Sequence, residues 1–456
     1  MEYEVLKWID KGVPILALLA ACSTILGRNP PPRLIRWLAW SVLPVLLLKC
    51  YLFSEWYLAD FKAFYYAGRE VIAGRDPYLL QGGPPRLPAF NPPTFQPLAI
   101  AISILPYRWM GALWCGLNIA GSIGLVELSR RVLNLQGGIF GRSIPPQGTA
   151  VLMAAVALSS ASRTGLEVGQ LHVVVALLVL GALGAQATGR PVLAGLLLAS
   201  ATAKPQTSLP FLILFLRRSD LATWATLPVA ALLLIITTTP PHDWVTRFWS
   251  WQASARGSFE PGQVNSLNDG GVLLLIAPSQ ILYGLGMRDL DQIRGCQFLL
   301  TIVLGLALMY EVTWRGRLTR QAASALVACY SMLFVYHRPY DTVLLALPLV
   351  YAATAASRSR GPVRALFVTS AMAILVAMNS YFSIQFTLLH KSWRLGPAGW
   401  LIRALAVPYP TYAVMLAMGT LWFAVRLQER AGIEDDLDAG RLPASLDSHA
   451  EKKANI

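Results

Sequence analysis

Charge is what this 456-residue chain has little of. Asp, Glu, Lys and Arg make up 14% of it, where soluble domains carry about 25%. That shortage excludes an ordinary soluble domain, whose surface needs solvated groups to cover it. Cysteine is scarce as well. The five cysteines include no Cys-x-x-Cys pair, so neither a zinc site nor a disulfide framework is expected. There is no polar–apolar alternation of a half-buried sheet and no internal repeat. No small-residue cleavage site follows the first apolar block, which runs into Arg28-Asn-Pro-Pro-Pro, so no cleaved leader is expected. No nucleic-acid motif occurs. The net charge of +14 instead suits attraction to anionic lipid headgroups.

What the chain does have is apolar blocks. Hydrophobic residues form 55% of it, gathered into runs of roughly 15 to 20 residues, the length of a bilayer crossing. The expectation is an all-α polytopic membrane protein with about thirteen crossings. They are placed at 13–27, 35–54, 108–128, 148–161, 168–187, 191–204, 206–217, 221–239, 296–314, 321–336, 341–357, 363–380 and 408–427. Residues 1–430 then form one domain. Lys204-Pro205 splits the pair at 191–217 into broken or re-entrant helices. The shorter apolar stretches 94–106 and 271–286 are expected to lie at the interface or to re-enter.

Basic residues in short loops report orientation. Arg28/Arg33/Arg36, Arg130/Arg131/Arg142, Arg190, Arg217/Arg218, Arg315/Arg317/Arg320 and Arg358/Arg360/Arg364 all fall on one side of that arrangement. This side is expected to be the cytoplasm, with a polar tail at 431–456 read as disordered there. The opposite face holds the longer loops 55–107, 240–295 and 381–407 and the His337–Asp341 turn.

The first outer loop opens with Asp60 and a stripe of Phe61, Phe64, Tyr65, Gly68 and Ile72. That spacing is one face of an amphipathic helix, resting in the headgroup zone with the stripe in lipid or against the bundle. Asp60 has two readings: an N-cap that satisfies first-turn amides, or a general base. Four polar interruptions share its face: Glu167-Val-Gly-Gln170, Lys204-Pro-Gln206, Asn265-Ser-Leu-Asn268 and His337-Arg338. Polar groups are expensive in a membrane and mark function, so together these suggest a polar cavity. Lys204 and Arg338, with Arg163 and Arg256, suit an anionic group such as a phosphate. Asp60 and His337 suit proton transfer. The blander alternatives are a snorkelling lysine and a hydrogen-bonded interface histidine. The spacing around His337 supports no metal site.

Taken in order, Asp60, Tyr65-Tyr66, Gly74-Arg75-Asp76-Pro77-Tyr78, Asn91-Pro92-Pro93, Gly169-Gln170, Ala203-Lys204-Pro205, Asn265-Ser266-Leu267 and His337 resemble glycosyltransferase family 87. These are polyprenyl-phosphate-sugar-dependent membrane enzymes of the GT-C superfamily that include mycobacterial phosphatidylinositol-mannoside mannosyltransferases. The resemblance implies a GT-C-like helical bundle and a lipid-linked sugar phosphate as donor, with no nucleotide-sugar domain. It implies a lipid or glycan acceptor. No cofactor is expected, and no metal, because a lipid monophosphate leaves one phosphate to neutralise, which cationic side chains can do. Asp60 becomes the base on the acceptor hydroxyl, and His337 matches a histidine near the active centre. Gln170, Tyr65, Tyr66 and Asn265 become substrate-binding candidates. Lys204 and Arg338 are assigned to the donor phosphate from charge and position. Localisation in the plasma (inner) membrane follows. A transporter or flippase for an anionic lipid or solute, or a non-catalytic envelope-assembly subunit, are the alternatives.

Overall fold

A computed structural model describes residues 2–52, 58–79, 91–137, 144–216, 220–257, 275–316, 318–335, 337–380 and 382–438. Regular structure among them is helical, and the one pairing of extended backbone is a bridge between Ile276 and His337. The chain begins with α1 (Glu2–Ile25) and α2 (Pro32–Leu52). The first outer loop then contributes α3 (Ala59–Ile72) and α4 (Gln96–Ser103). Next come the long α5 (Tyr107–Gly137) and the chain of shorter helices α6 (Pro146–Ala157), α7 (Ser160–Val168), α8 (His172–Ala187), α9 (Pro191–Ala201) and α10 (Pro205–Ser208). The middle of the molecule holds α11 (Leu221–Ile236), α12 (Trp244–Gly257), α13 (Pro278–Gly284) and α14 (Leu290–Met309). The C-terminal part adds α15 (Arg320–Ser331), α16 (Ala346–Arg358), α17 (Gly361–Met378), α18 (Phe382–Arg394) and α19 (Tyr409–Asp438).

The all-helical membrane class expected from sequence is what the structure has. The count of thirteen crossings is not reached among the described residues by helix length and composition. Among the described residues, five helical stretches are long and apolar enough to cross a membrane: Tyr107–Gly137, Leu290–Trp314, Pro339–Arg358, Gly361–Met378 and Tyr409–Arg430. Two bent pairs bring the number to seven: α6 with α7, at 45°, and α11 with Pro241–Gly257, at 100°. The reason is punctuation by proline and glycine. Proline starts α6, α9, α10 and the helical turn at 339, because its fixed φ suits a first turn and its missing N–H forbids continuation. Glycine at φ +72° ends α7. Apolar composition therefore outruns helix length. α9 has 11 residues, about 16 Å at 1.5 Å per residue, against a hydrocarbon core of about 30 Å.

The apolar core runs through α5, α6, α8 and α15 to α17, closed by α19. α16 is buried on every side from Ala346 to Ala356, as expected of a helix that is apolar all round and sits inside a bundle. The expected interface helix at 94–106 is α4, and it packs against α3. Of the stretch 271–286, the described part forms α13 against α14. α19 continues to Asp438, past the span expected at 408–427.

Candidate active site

The position of Asp60 is set by how α3 docks. Phe61, Phe64, Tyr65, Gly68 and Val71 are buried, so the stripe faces protein, while Ile72 is exposed and Val71 takes its place. Gly68 is what lets α3 lie on α4: an added Cβ would sit 2.0 Å from the Ala99 carbonyl oxygen. The start of α3 is pinned to the end of α7, where the Leu58 amide donates to the Glu167 carbonyl at 2.8 Å. The α7 terminus is in turn fixed by Gly169, whose carbonyl accepts from Trp114 Nε1 at 2.9 Å. One residue later, Gln170 Nε2 donates to the Asp60 carboxylate.

This geometry decides against the capping reading. The N-cap of α3 is Leu58, in the left-handed region at φ 63° and with no side-chain cap bond. Asp60 lies inside the first turn with its carboxylate turned to Gln170. It remains partly exposed. Burial raises its pKa above the ordinary carboxylate range, opposed by the Gln170 hydrogen bond and then by the charges of Lys204 and Arg338. A carboxylate whose pKa is raised by desolvation is, once ionised, a stronger base than one in water.

Lys204 follows the break between α9 and α10, with Pro205 directly after it. Its ammonium is buried and donates to Asp341 Oδ1. It also lies 4.9 Å from the centre of the Tyr340 ring, a cation–π contact. Asp341 Oδ2 faces His337 Nδ1 at 3.2 Å and the Arg338 backbone amide at 3.3 Å. His337 is fully buried, and its backbone exchanges hydrogen bonds with Ile276, at 2.7 and 3.1 Å. Its Nε2 is buried and has no hydrogen-bond partner. Asp341 therefore holds one imidazole nitrogen, which orients the ring, while the other nitrogen has no partner.

Asp60, Gln170, Lys204, Arg338 and His337 thus come together through direct contacts or through mutual electrostatic reach. Tyr65 and Tyr66 share α3 with Asp60 but line a separate cleft of about 560 Å³ with Arg69, Arg75 and Tyr107. The Tyr65 hydroxyl donates to the Leu105 carbonyl at 3.0 Å. Asn265 lies outside the described residues. Arg163 belongs to a different pair, donating to Asp10 in the interior, and Arg256 is exposed on α12. Both are corrections to the cationic set read from sequence.

Missing from the residues expected by sequence is Asp341, which stands at i+4 from His337 and joins the histidine to Lys204. The carboxylate at i+4 was the available signal, and the reading of the spacing around His337 passes over it. His172 is a second omission. It is buried, neither ring nitrogen has a hydrogen-bond partner, and its ring lies 5.9 Å from that of Tyr340. A histidine opening an apolar helix carries no such signal. Among the described residues, no three His, Cys, Asp or Glu side chains group as a metal site would require.

A buried carboxylate–histidine pair, a second carboxylate of raised pKa and nearby cations are groups of the kind that proton transfer and anion binding use. The family model of glycosyltransferase family 87 matches residues 90–336, more than half of the chain. The matched stretch includes Gln170 and Lys204, begins after Asp60 and ends one residue before His337. Comparison with curated proteins and with solved structures gives no match. On the strength of the family match, the chain belongs to glycosyltransferase family 87 and is a membrane glycosyltransferase.

Proposed function

We propose that the protein moves a hexose, which we read as mannose, from a polyprenyl-phosphate-sugar donor to a lipid or glycan acceptor on the outer face of the membrane. Asp60 is the general base. It takes the proton of the acceptor hydroxyl, and the hydroxyl oxygen attacks the anomeric carbon. The bond from that carbon to the phosphate oxygen breaks, and the electron pair leaves with polyprenyl phosphate. Configuration at the anomeric carbon inverts, because attack and departure are on opposite faces. The phosphate gains negative charge as it leaves. Lys204 and Arg338 both act on the Asp60 carboxylate, so both lie close enough to act on charge developing beside it.

The observation that carries this reading is the state of Asp60. It is partly exposed, held by Gln170, raised in pKa by burial and within reach of two cations. His337, oriented by Asp341, is assigned a positioning role through its unpartnered Nε2. Lys204 differs from its sequence-based reading. Its ammonium already meets Asp341, so a phosphate would have to join that pair rather than bind a bare cation.

The experiment is sugar transfer from a polyprenyl-phosphate sugar by folded, purified Asp60→Asn protein. Removing a general base lowers rate by about 10²–10⁴-fold. Turnover near wild type would end the mechanism.

A further inference from the structure

We propose that Glu167 is a positioning residue for the transfer reaction, clamping the end of α2 and the start of α3 to α7 so that Gln170 is held on the Asp60 carboxylate. This deepens the reading of Asp60 as the base and rests on it. Glu167 opens the polar interruption Glu167-Val-Gly-Gln170, and its side chain turns to α2. Its Oε2 accepts from Lys49 Nζ at 3.1 Å, and Lys49 stands in the last turn of α2. The Glu167 carbonyl accepts from the amide of Leu58, the residue that begins α3. One residue therefore holds the chain on both sides of the passage from α2 to α3. Further along the same interruption, Gln170 Nε2 meets Asp60.

Burial is what makes this contact a clamp. Lys49 is buried, and so is the neighbouring pair of Arg163 with Asp10. Arg163 stands at i−4 from Glu167 on α7, on the same face. α7 thus presents one charge to Asp10 of α1 and the next to Lys49 of α2. The four act as one group, since Glu167, Asp10 and Arg163 all bear on Lys49. A buried ion pair is weak support for stability, and apolar groups of similar volume often serve as well. What it supplies is a single arrangement, because a charge in the interior has few other partners. α7 needs such ties. It has nine residues, and isolated helices below about 12–15 are marginal. Its start is tied to the end of α17, where Ser160 Oγ donates to the Ser380 carbonyl at 3.0 Å. Glu167 ties the other end, beside the left-handed turn at Gly169.

The consequence falls on Asp60. Burial raises its pKa, and the Gln170 hydrogen bond is the largest opposing influence. The charges of Lys204 and Arg338 oppose it next, and Asp341 adds to the rise. Lys49 and Glu167 therefore act on Asp60 through where they put Gln170. A misplacement of about 1 Å can cost about 10²-fold in rate.

The test is an infrared titration of the Asp60 carboxyl in the full chain in nanodiscs, run beside turnover of a polyprenyl-phosphate sugar. The Asp60 band is the one missing from Asp60→Asn. The main variant is Lys49→Met/Glu167→Met, which removes both charges together and should melt close to wild type. Its Asp60 midpoint should rise by about one pH unit, the scale of a weakened hydrogen bond to a carboxylate. Its kcat should fall about 10- to 100-fold with little change in KM. Added to Gln170→Leu, the same pair of substitutions should move the midpoint no further. Lys49→Met alone is the second variant, in case the double one misfolds. Glu167 without its partner takes up a proton, so the fold survives and the same rise is expected. Lys49→Arg, which keeps an ionic partner for Glu167, should recover most of the difference. An unmoved midpoint in a folded variant overturns the proposal, and so does a shift of full size in the Gln170→Leu background. Failure of the base reading looks different: the midpoint would rise as stated while Asp60→Asn kept its turnover.

Discussion

Gln170 acts on the chemistry through one hydrogen bond, to a carboxylate whose pKa is raised. That bond favours the ionised form of Asp60. Gln170→Leu removes it, so the pKa climbs further and less base is present at neutral pH. The rate at pH 7 falls, the acid limb of the pH–rate profile moves to higher pH, and the rate recovers in alkali. A limb that stays in place would show that Asp60 does not titrate in the rate profile. The same shift has a sign for stability. A carboxylate raised on folding favours the folded state most when protonated, and that contribution is lost as pH rises through the folded pKa. Asp60→Asn should therefore melt at the wild-type temperature or above at pH 7 while losing turnover. A capping aspartate would do the reverse. Lys204 carries the opposite expectation. Lys204→Ala strands Asp341 in the interior, and breaking a buried pair costs about 3–5 kcal/mol, visible as a large fall in melting temperature. Asp60, Gln170, Lys204 and His337 were legible in the sequence because each interrupts or abuts apolar text. The partnership of Asp341 with Lys204 was not, since 137 residues separate them and only the fold brings them together.

At the scale of elements, the junction of α3 with α7 positions the base. Gly169 there sits at φ +72°, and an added Cβ would lie 2.7 Å from the Phe61 Cβ and 2.8 Å from Leu58 Cδ2. Gly169→Ala pays a left-handed penalty of about 1–2 kcal/mol and pushes Gln170 away from Asp60. Activity should fall by more than the loss in melting temperature explains, because the misplacement strikes the carboxylate's partner. Among the described residues, two non-glycines also adopt positive φ: Leu58 at 63° and Val335 at 65°. Each stands two residues ahead of a site residue, Asp60 and His337. A β-branched residue in that region is a true outlier, and such strain collects where geometry serves function. The amphipathic stripe of α3 was readable from its spacing. Which side it faced was not, because lipid and protein accept the same apolar residues.

For the molecule as a whole, the basic loops still predict sidedness. Cysteine placed at Ser250 should react with an impermeant reagent added outside, and cysteine at Ser359 should not. The opposite pattern would place the Asp60 cluster on the inner face. Class was legible from the shortage of charge; helix lengths were not, because proline and glycine divide apolar runs into helices shorter than the bilayer. The shortness of α9 also bears on synthesis. Eleven residues give the insertion machinery too little apolar length to release α9 into lipid alone. Its main packing partners are α8 and α11, so it is expected to enter with them. A topology reporter fused after Thr202 should therefore divide between the two sides of the membrane, whereas one fused after Ile236 should report a single side. The broken helix that carries Lys204 is then committed to its place only after α11 has been made.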